Sequence, residues 1–109
     1  MRHQILRRAI LQMLYQRAVE APQSLIVGVE AREIALQLDI TAYEFAFNAL
    51  YLDGKGLITN DRSGTGGELQ FNAIMITPAG IDVIENPDHM ERMVPLMRHA
   101  GARNRRLKS

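Results

Sequence analysis

The 109-residue sequence predicts an α+β domain, mainly α, with one β-hairpin and an additional helical segment at its C-terminal end. Three observations carry that expectation. Apolar residues between Arg2 and Glu20 recur at helical spacing. Thr41 followed by Glu44 forms a capping box that opens a new helix almost directly after another has closed. Two strand-like runs, 57–59 and 69–77, flank a stretch of turn-forming residues.

Each element has its own signal. In the first helix Leu6, Ile10, Met13, Leu14 and Val19, with Ile5 and Ala9 beside them, follow one face and leave the arginines mostly on others. Ala21-Pro22-Gln23-Ser24 breaks it, and Leu25-Ile26-Val27, short and rich in β-branched side chains, predicts a small strand ahead of Gly28. Residues 30–38 predict a two-turn helix with Ile34, Ala35 and Leu38 on one side and acids in its first turn, where the helix dipole favours them. Only Asp39 and Ile40 separate it from Thr41, so the two helices must turn sharply against one another. The capped helix runs to about Asp53, and Gly54 or Gly56 gives the backbone freedom for its exit. Residues 61–68 predict the hairpin tip. Thr77-Pro78 opens a further helix, with Thr as cap and Pro in the first turn, carrying Ile81 and Ile84 until Asn86-Pro87 ends it. Residues 88–100 predict helix again, with Asp88 and Glu91 as a second capping pair and Pro95 kinking or dividing it.

That order of elements resembles the winged helix-turn-helix superfamily, in particular small bacterial-type transcriptional regulators. The residues that carry the likeness are Ile40-Thr41 at the turn, Leu52-Asp53-Gly54-Lys55-Gly56-Leu57-Ile58 at the helix exit, and Ile76-Thr77-Pro78-Ala79-Gly80-Ile81 after the hairpin. It extends from Met1 to about Glu85. The resemblance implies a winged-helix domain over 1–86, with a recognition helix at 42–53 and a β-hairpin wing at 59–72. A C-terminal helical segment and basic tail follow over 87–109.

Composition narrows the functional classes. With 47% hydrophobic and 23% charged residues the chain has the makings of a packed core. It has no cysteine, which excludes a disulfide framework, a thiolate metal site and a cysteine nucleophile. No signal-peptide h-region or membrane-spanning apolar run is present, so a cytoplasmic protein without membrane contact is expected. His3, His89 and His99 lack the spacing of helical metal pairs. The Gly-rich run 63–67 lacks the Gly-Lys-Ser/Thr ending of a phosphate loop. No set of Ser, His and acid suggests a nucleophilic site, so the expectation is a protein that is not an enzyme and holds no cofactor or metal.

Charge is strongly segregated beneath a formal net of +1. Residues 1–17 carry Arg2, Arg7, Arg8 and Arg17 and no acid, and residues 92–109 carry Arg92, Arg98, Arg103, Arg105, Arg106 and Lys108 and no acid. Between them all twelve acids face only Arg32, Lys55 and Arg62. The second helix of the pair has no Lys or Arg. The winged-helix resemblance implies that Phe45, Ala49 and Leu52 face the core, which leaves Ala42, Tyr43, Glu44, Ala46, Phe47, Leu50 and Tyr51 toward the groove side. Base edges and phosphates are met mostly by Arg, Lys and amides, which this face lacks.

Two functions therefore stand side by side. The resemblance implies a homodimeric regulator bound to double-stranded DNA, with Arg32, Thr41, Tyr43, Phe47, Lys55, Arg62, Arg103, Arg105 and Arg106 as candidate contacts. The apolar helix instead implies a module that docks a protein partner or a second subunit through Tyr43, Phe47, Leu50 and Tyr51. Met90, Met93 and Met97 are candidates for the same interface or for covering that helix, since methionine adapts to irregular surfaces.

Overall fold

The order of elements is helix α1 (Arg2–Glu20), a short helix α2 (Ser24–Val27), strand β1 (Val29–Glu30), α3 (Ala31–Leu38), α4 (Ala42–Gly54), β2 (Ile58–Asn60), β3 (Ala73–Ile76), α5 (Pro78–Glu85) and α6 (Pro87–Met93). This is a computed structural model that describes residues 2–60 and 71–96. The fold is α+β and mainly helical, with a small three-stranded antiparallel sheet. The expected hairpin tip at 61–68 lies outside the described residues, as do Arg62, Met97, Arg103, Arg105 and Arg106.

The sheet has the order β1-β3-β2. Val29 stands opposite Ile74 and Glu30 opposite Ala73, while Ile58, Thr59 and Asn60 face Ile76, Met75 and Ile74. Helix α1 crosses this layer with Leu6, Ile10, Leu14 and Ala18, one residue per turn, turned inward. Ile10, Leu14 and Ala18, with Leu11, form one cluster with Ile34 of α3, Phe45, Ala49 and Leu52 of α4, Ile58, Ile74 and Ile76 of the sheet, and Val83 of α5. Met90 and Val94 lie in the same cluster.

Capping explains most boundaries. Thr41 accepts from the Glu44 amide and the Glu44 carboxylate accepts from the Thr41 amide, each at 3.1 Å. Asp39 closes α3 in the left-handed conformation, φ 56°, and its amide reaches Ala35 and Leu36, so three residues reverse the chain. At the far end Gly56, φ 77°, turns α4 into β2. The Thr77 hydroxyl donates to the Gly56 carbonyl and accepts from the Gly80 amide. Any side chain at Gly80 would lie 2.3 Å from the Leu57 carbonyl. The helix exit and the start of α5 are thus one packed unit, which is why Gly56-Leu57 and Thr77-Pro78-Ala79-Gly80 belong together.

Two expectations are corrected. Residues 25–27 are a helical turn instead of a strand. Gln23 is already in the right-handed helical region, its carbonyl accepts from Ile26 and Val27, and among the described residues no strand pairs with them. The strand begins only after Gly28, φ 84°. The second correction concerns 88–100, where the described helix is Pro87–Met93 and its cap is Asn86, which accepts from the Asp88 and His89 amides. Asp88 therefore lies inside the first turn and is not the cap, and Glu91 pairs with Arg8. Val94, φ −134° and ψ 66°, has left the helical region ahead of Pro95, which disfavours helix in the residue before it.

Candidate functional site

Helix α4 divides its side chains between core and solvent more sharply than its composition suggests. Phe45, Ala49 and Leu52 are buried, as expected. Ala46 and Asn48 are buried as well, so Ala46 leaves the outward set. Tyr43, Phe47 and Leu50 remain in solvent at 78%, 55% and 38% exposure. These three, with Ala46, Glu44 and His3, line a shallow hollow of about 410 Å³.

The side of α4 next to this ridge is held by α1 through Asn48, a buried polar side chain. Its Oδ1 accepts from Arg7 Nε at 3.1 Å, and its Nδ2 donates to the Glu44 carbonyl at 2.8 Å and to His3 Nδ1 at 3.0 Å. Because arginine has only donors, the amide orientation follows, and His3 Nδ1 is the acceptor. The amide is therefore satisfied on both ends, as a buried polar group must be. The Arg7 guanidinium also sits 3.8 Å from the Tyr51 ring centroid, and Lys55 Nζ lies 5.4 Å from the same ring. Tyr51 donates its hydroxyl to the Met93 carbonyl. Tyr51 is thus half-buried under intrachain partners and is not an open interface residue.

The basic N-terminal segment is committed to the acidic body. Arg2 Nε pairs with Glu44 at 2.8 Å, Arg8 with Glu91 and the Val94 carbonyl, and Arg17 with Glu33. The Arg2 guanidinium, followed by the Thr41 amide, holds the Glu44 carboxyl below the usual carboxylate range, and Arg2 is raised in turn. Tyr15, hydrogen-bonded to Glu85 at 2.8 Å, is raised above the usual phenol value by that bond. The segregation of charge along the sequence becomes a set of ion pairs across the α1 surface, a pattern that pairs 42 or 83 residues apart hide from local inspection.

The remaining candidates fall in several places. Arg32 in the first turn of α3 and Lys55 at the C-cap of α4 are exposed, and Thr41 is occupied as the cap of α4. Met90 is buried in the chain's own core and Met93 packs half-buried against it, so neither lies open as an interface. An open cleft of about 610 Å³ separates α3 from the root of β3, lined in part by Arg32, Leu36, Phe45 and Phe71. Phe71 meets Phe45 edge-on at 5.8 Å. A second apolar surface was not anticipated. Ile26 and Val27 of α2 are 80% and 64% exposed and lie beside Leu25, with Val19 of α1 also exposed.

Among the described residues no group of three His, Asp or Glu side chains is placed to hold a metal ion, and no helix is long and apolar enough to cross a membrane. In comparisons with protein-family models, with curated proteins and with solved structures, the chain matches none.

Proposed function

We propose that the chain is a winged-helix DNA-binding protein that regulates transcription as a homodimer. The observation that carries this reading is the sheet order β1-β3-β2 around the α3–α4 pair, with α4 capped at Thr41, open along Tyr43 and Phe47, and leading through Gly56 into β2. In this reading α4 enters the groove, and Tyr43 offers its hydroxyl to a phosphate. Arg32, Lys55 and the cations at Arg62, Arg103, Arg105 and Arg106 offer further phosphate contacts. Such contacts release counterions, so affinity falls steeply with salt. The exposed aliphatic group Leu25, Ile26 and Val27 supports self-association, because a contiguous apolar patch favours burial against another surface. Fluorescence anisotropy with a random-sequence duplex, titrated at low and physiological salt, tests the DNA contact. Binding that weakens with salt is expected, and absence of binding at low salt sinks the reading.

A second reading rests on the cation-free face formed by Tyr43, Phe47 and Leu50. It makes α4 a protein-docking surface. Replacing Phe47 and Leu50 with serine then abolishes an association detected by light scattering, and an unchanged mass with the fold intact counts against it.

A further inference from the structure

Helix α4 carries aromatic rings at four-residue spacing, Tyr43, Phe47 and Tyr51. A four-residue step advances a helix by about 6 Å and keeps the side chains on neighbouring parts of one face. Tyr43 and Phe47 are open to solvent. His3 supports Phe47 from one side, with the ring centroids 4.7 Å apart and the planes inclined at 54°.

Beside this row of rings runs a row of cations. Arg7 lies 5.8 Å from the Phe47 centroid and 3.8 Å from Tyr51, and Lys55 lies 5.4 Å from Tyr51 on the exit side. Arg2, whose Nε is bound to Glu44, keeps a side chain 61% exposed at the other end. The helix that has no cation in its own sequence is therefore bordered by cations from α1 and from its C-cap. This combination selects an anionic partner with flat apolar faces. A duplex hides those faces between its base pairs, and against a duplex Phe47 has no hydrogen bond to offer. Unpaired bases expose their faces, and alternating rings and cations are what strands without sequence preference require.

We propose that the Tyr43–Phe47 ridge, with Arg2, His3, Arg7 and Lys55 beside it, binds single-stranded nucleic acid. Two bases stack on the rings and the adjoining phosphates meet the cations. This deepens the DNA-binding reading, on which it rests, by naming the form of nucleic acid that α4 takes.

The test is fluorescence anisotropy of the full chain with labelled oligothymidylate and with a duplex of equal length, using wild type, Tyr43→Ala, Phe47→Ala and Phe47→Trp. Circular dichroism checks that these exposed substitutions leave the fold intact. The expected result is tighter binding of the single strand than of the duplex, weakened roughly tenfold by each alanine and retained by tryptophan, because base stacking needs a ring at these positions. Single-strand binding that ignores both alanines overturns the proposal. Duplex binding without single-strand binding overturns it too and leaves the DNA-binding reading standing, whereas binding of neither removes both. Capture of a protein partner that is lost in Phe47→Ala, with no nucleic acid bound, overturns it in favour of protein docking.

Discussion

The two ends of α1, roughly 24 Å apart between His3 and Val19 at 1.5 Å per residue, meet unlike surroundings. At the first, Arg2, His3 and Arg7 reach across to Glu44, Asn48 and Tyr51, and the apolar surface left in solvent is aromatic and bordered by charge. At the second, exposed Val19 and the neighbouring residues Leu25, Ile26 and Val27 make an aliphatic surface. The border of an exposed apolar patch, more than its area, distinguishes its partners. A ring beside a guanidinium suits a planar anion, while an aliphatic patch suits another aliphatic surface. The ends also differ in how they are built, one by a buried polar network and the other by backbone conformation at Gly28.

The largest effect is expected at the aliphatic end. Gly28 has φ 84° and ψ 177°, a region essentially confined to glycine. A Cβ there would stand 2.9 Å from Ala73 Cβ and 3.2 Å from the Ile74 carbonyl. Gly28→Ala therefore destabilises by about 3 kcal/mol, measured by urea unfolding, through backbone strain and overpacking together. If the two ends are separable, nucleic-acid affinity per folded molecule stays unchanged. A matching loss of affinity breaks the comparison.

At the polar end Asn48→Leu conserves approximate size while removing the acceptor for Arg7 and the donor to His3. Destabilisation of about 2 kcal/mol is expected from the partners left behind, moderated because Arg7 is only half-buried and can turn to water. Here stability and affinity fall together, since both cation and ring lose their positions. A stability loss with affinity intact would detach the network from the binding face.

The contrast between these ends was unevenly legible in the sequence. Thr41 with Glu44 and Thr77-Pro78 were readable because capping is a contact between residues three apart, whereas Asn86 was read only as the end of α5 and its cap on α6 was assigned to Asp88. The core set Phe45, Ala49 and Leu52 followed from the winged-helix likeness. Residues 25–27 misled because β-branching reports fit to a half-buried sheet surface, and β3 pairs there with Val29 and Glu30 alone. Asn48 could be noticed as the one base-reading amide on α4, yet its burial depends on Arg7 and His3, which lie 41 and 45 residues earlier. The cation row was hidden for the same reason, because two of its members belong to α1.

The smallest expected effect resolves the outermost cation. Glu44 uses its two oxygens separately: Oε2 accepts from Arg2 and Oε1 from the Thr41 amide. Its carboxyl is held low first by Arg2 and then by that amide, so the folded form favours ionisation. The contribution of the pair is full above the ordinary carboxylate value of about 4.3 and is lost as pH falls through the depressed folded value. Thr41→Ala removes the hydroxyl that caps α4, at about 1 kcal/mol, but keeps the backbone donor to Oε1. Arg2→Met removes the larger influence. An NMR titration of Glu44 should therefore shift upward more in Arg2→Met than in Thr41→Ala. Equal titration in wild type and Arg2→Met would mean that Arg2 is unpaired in solution, leaving α4 bordered by Arg7 and Lys55 with no guanidinium held at Glu44.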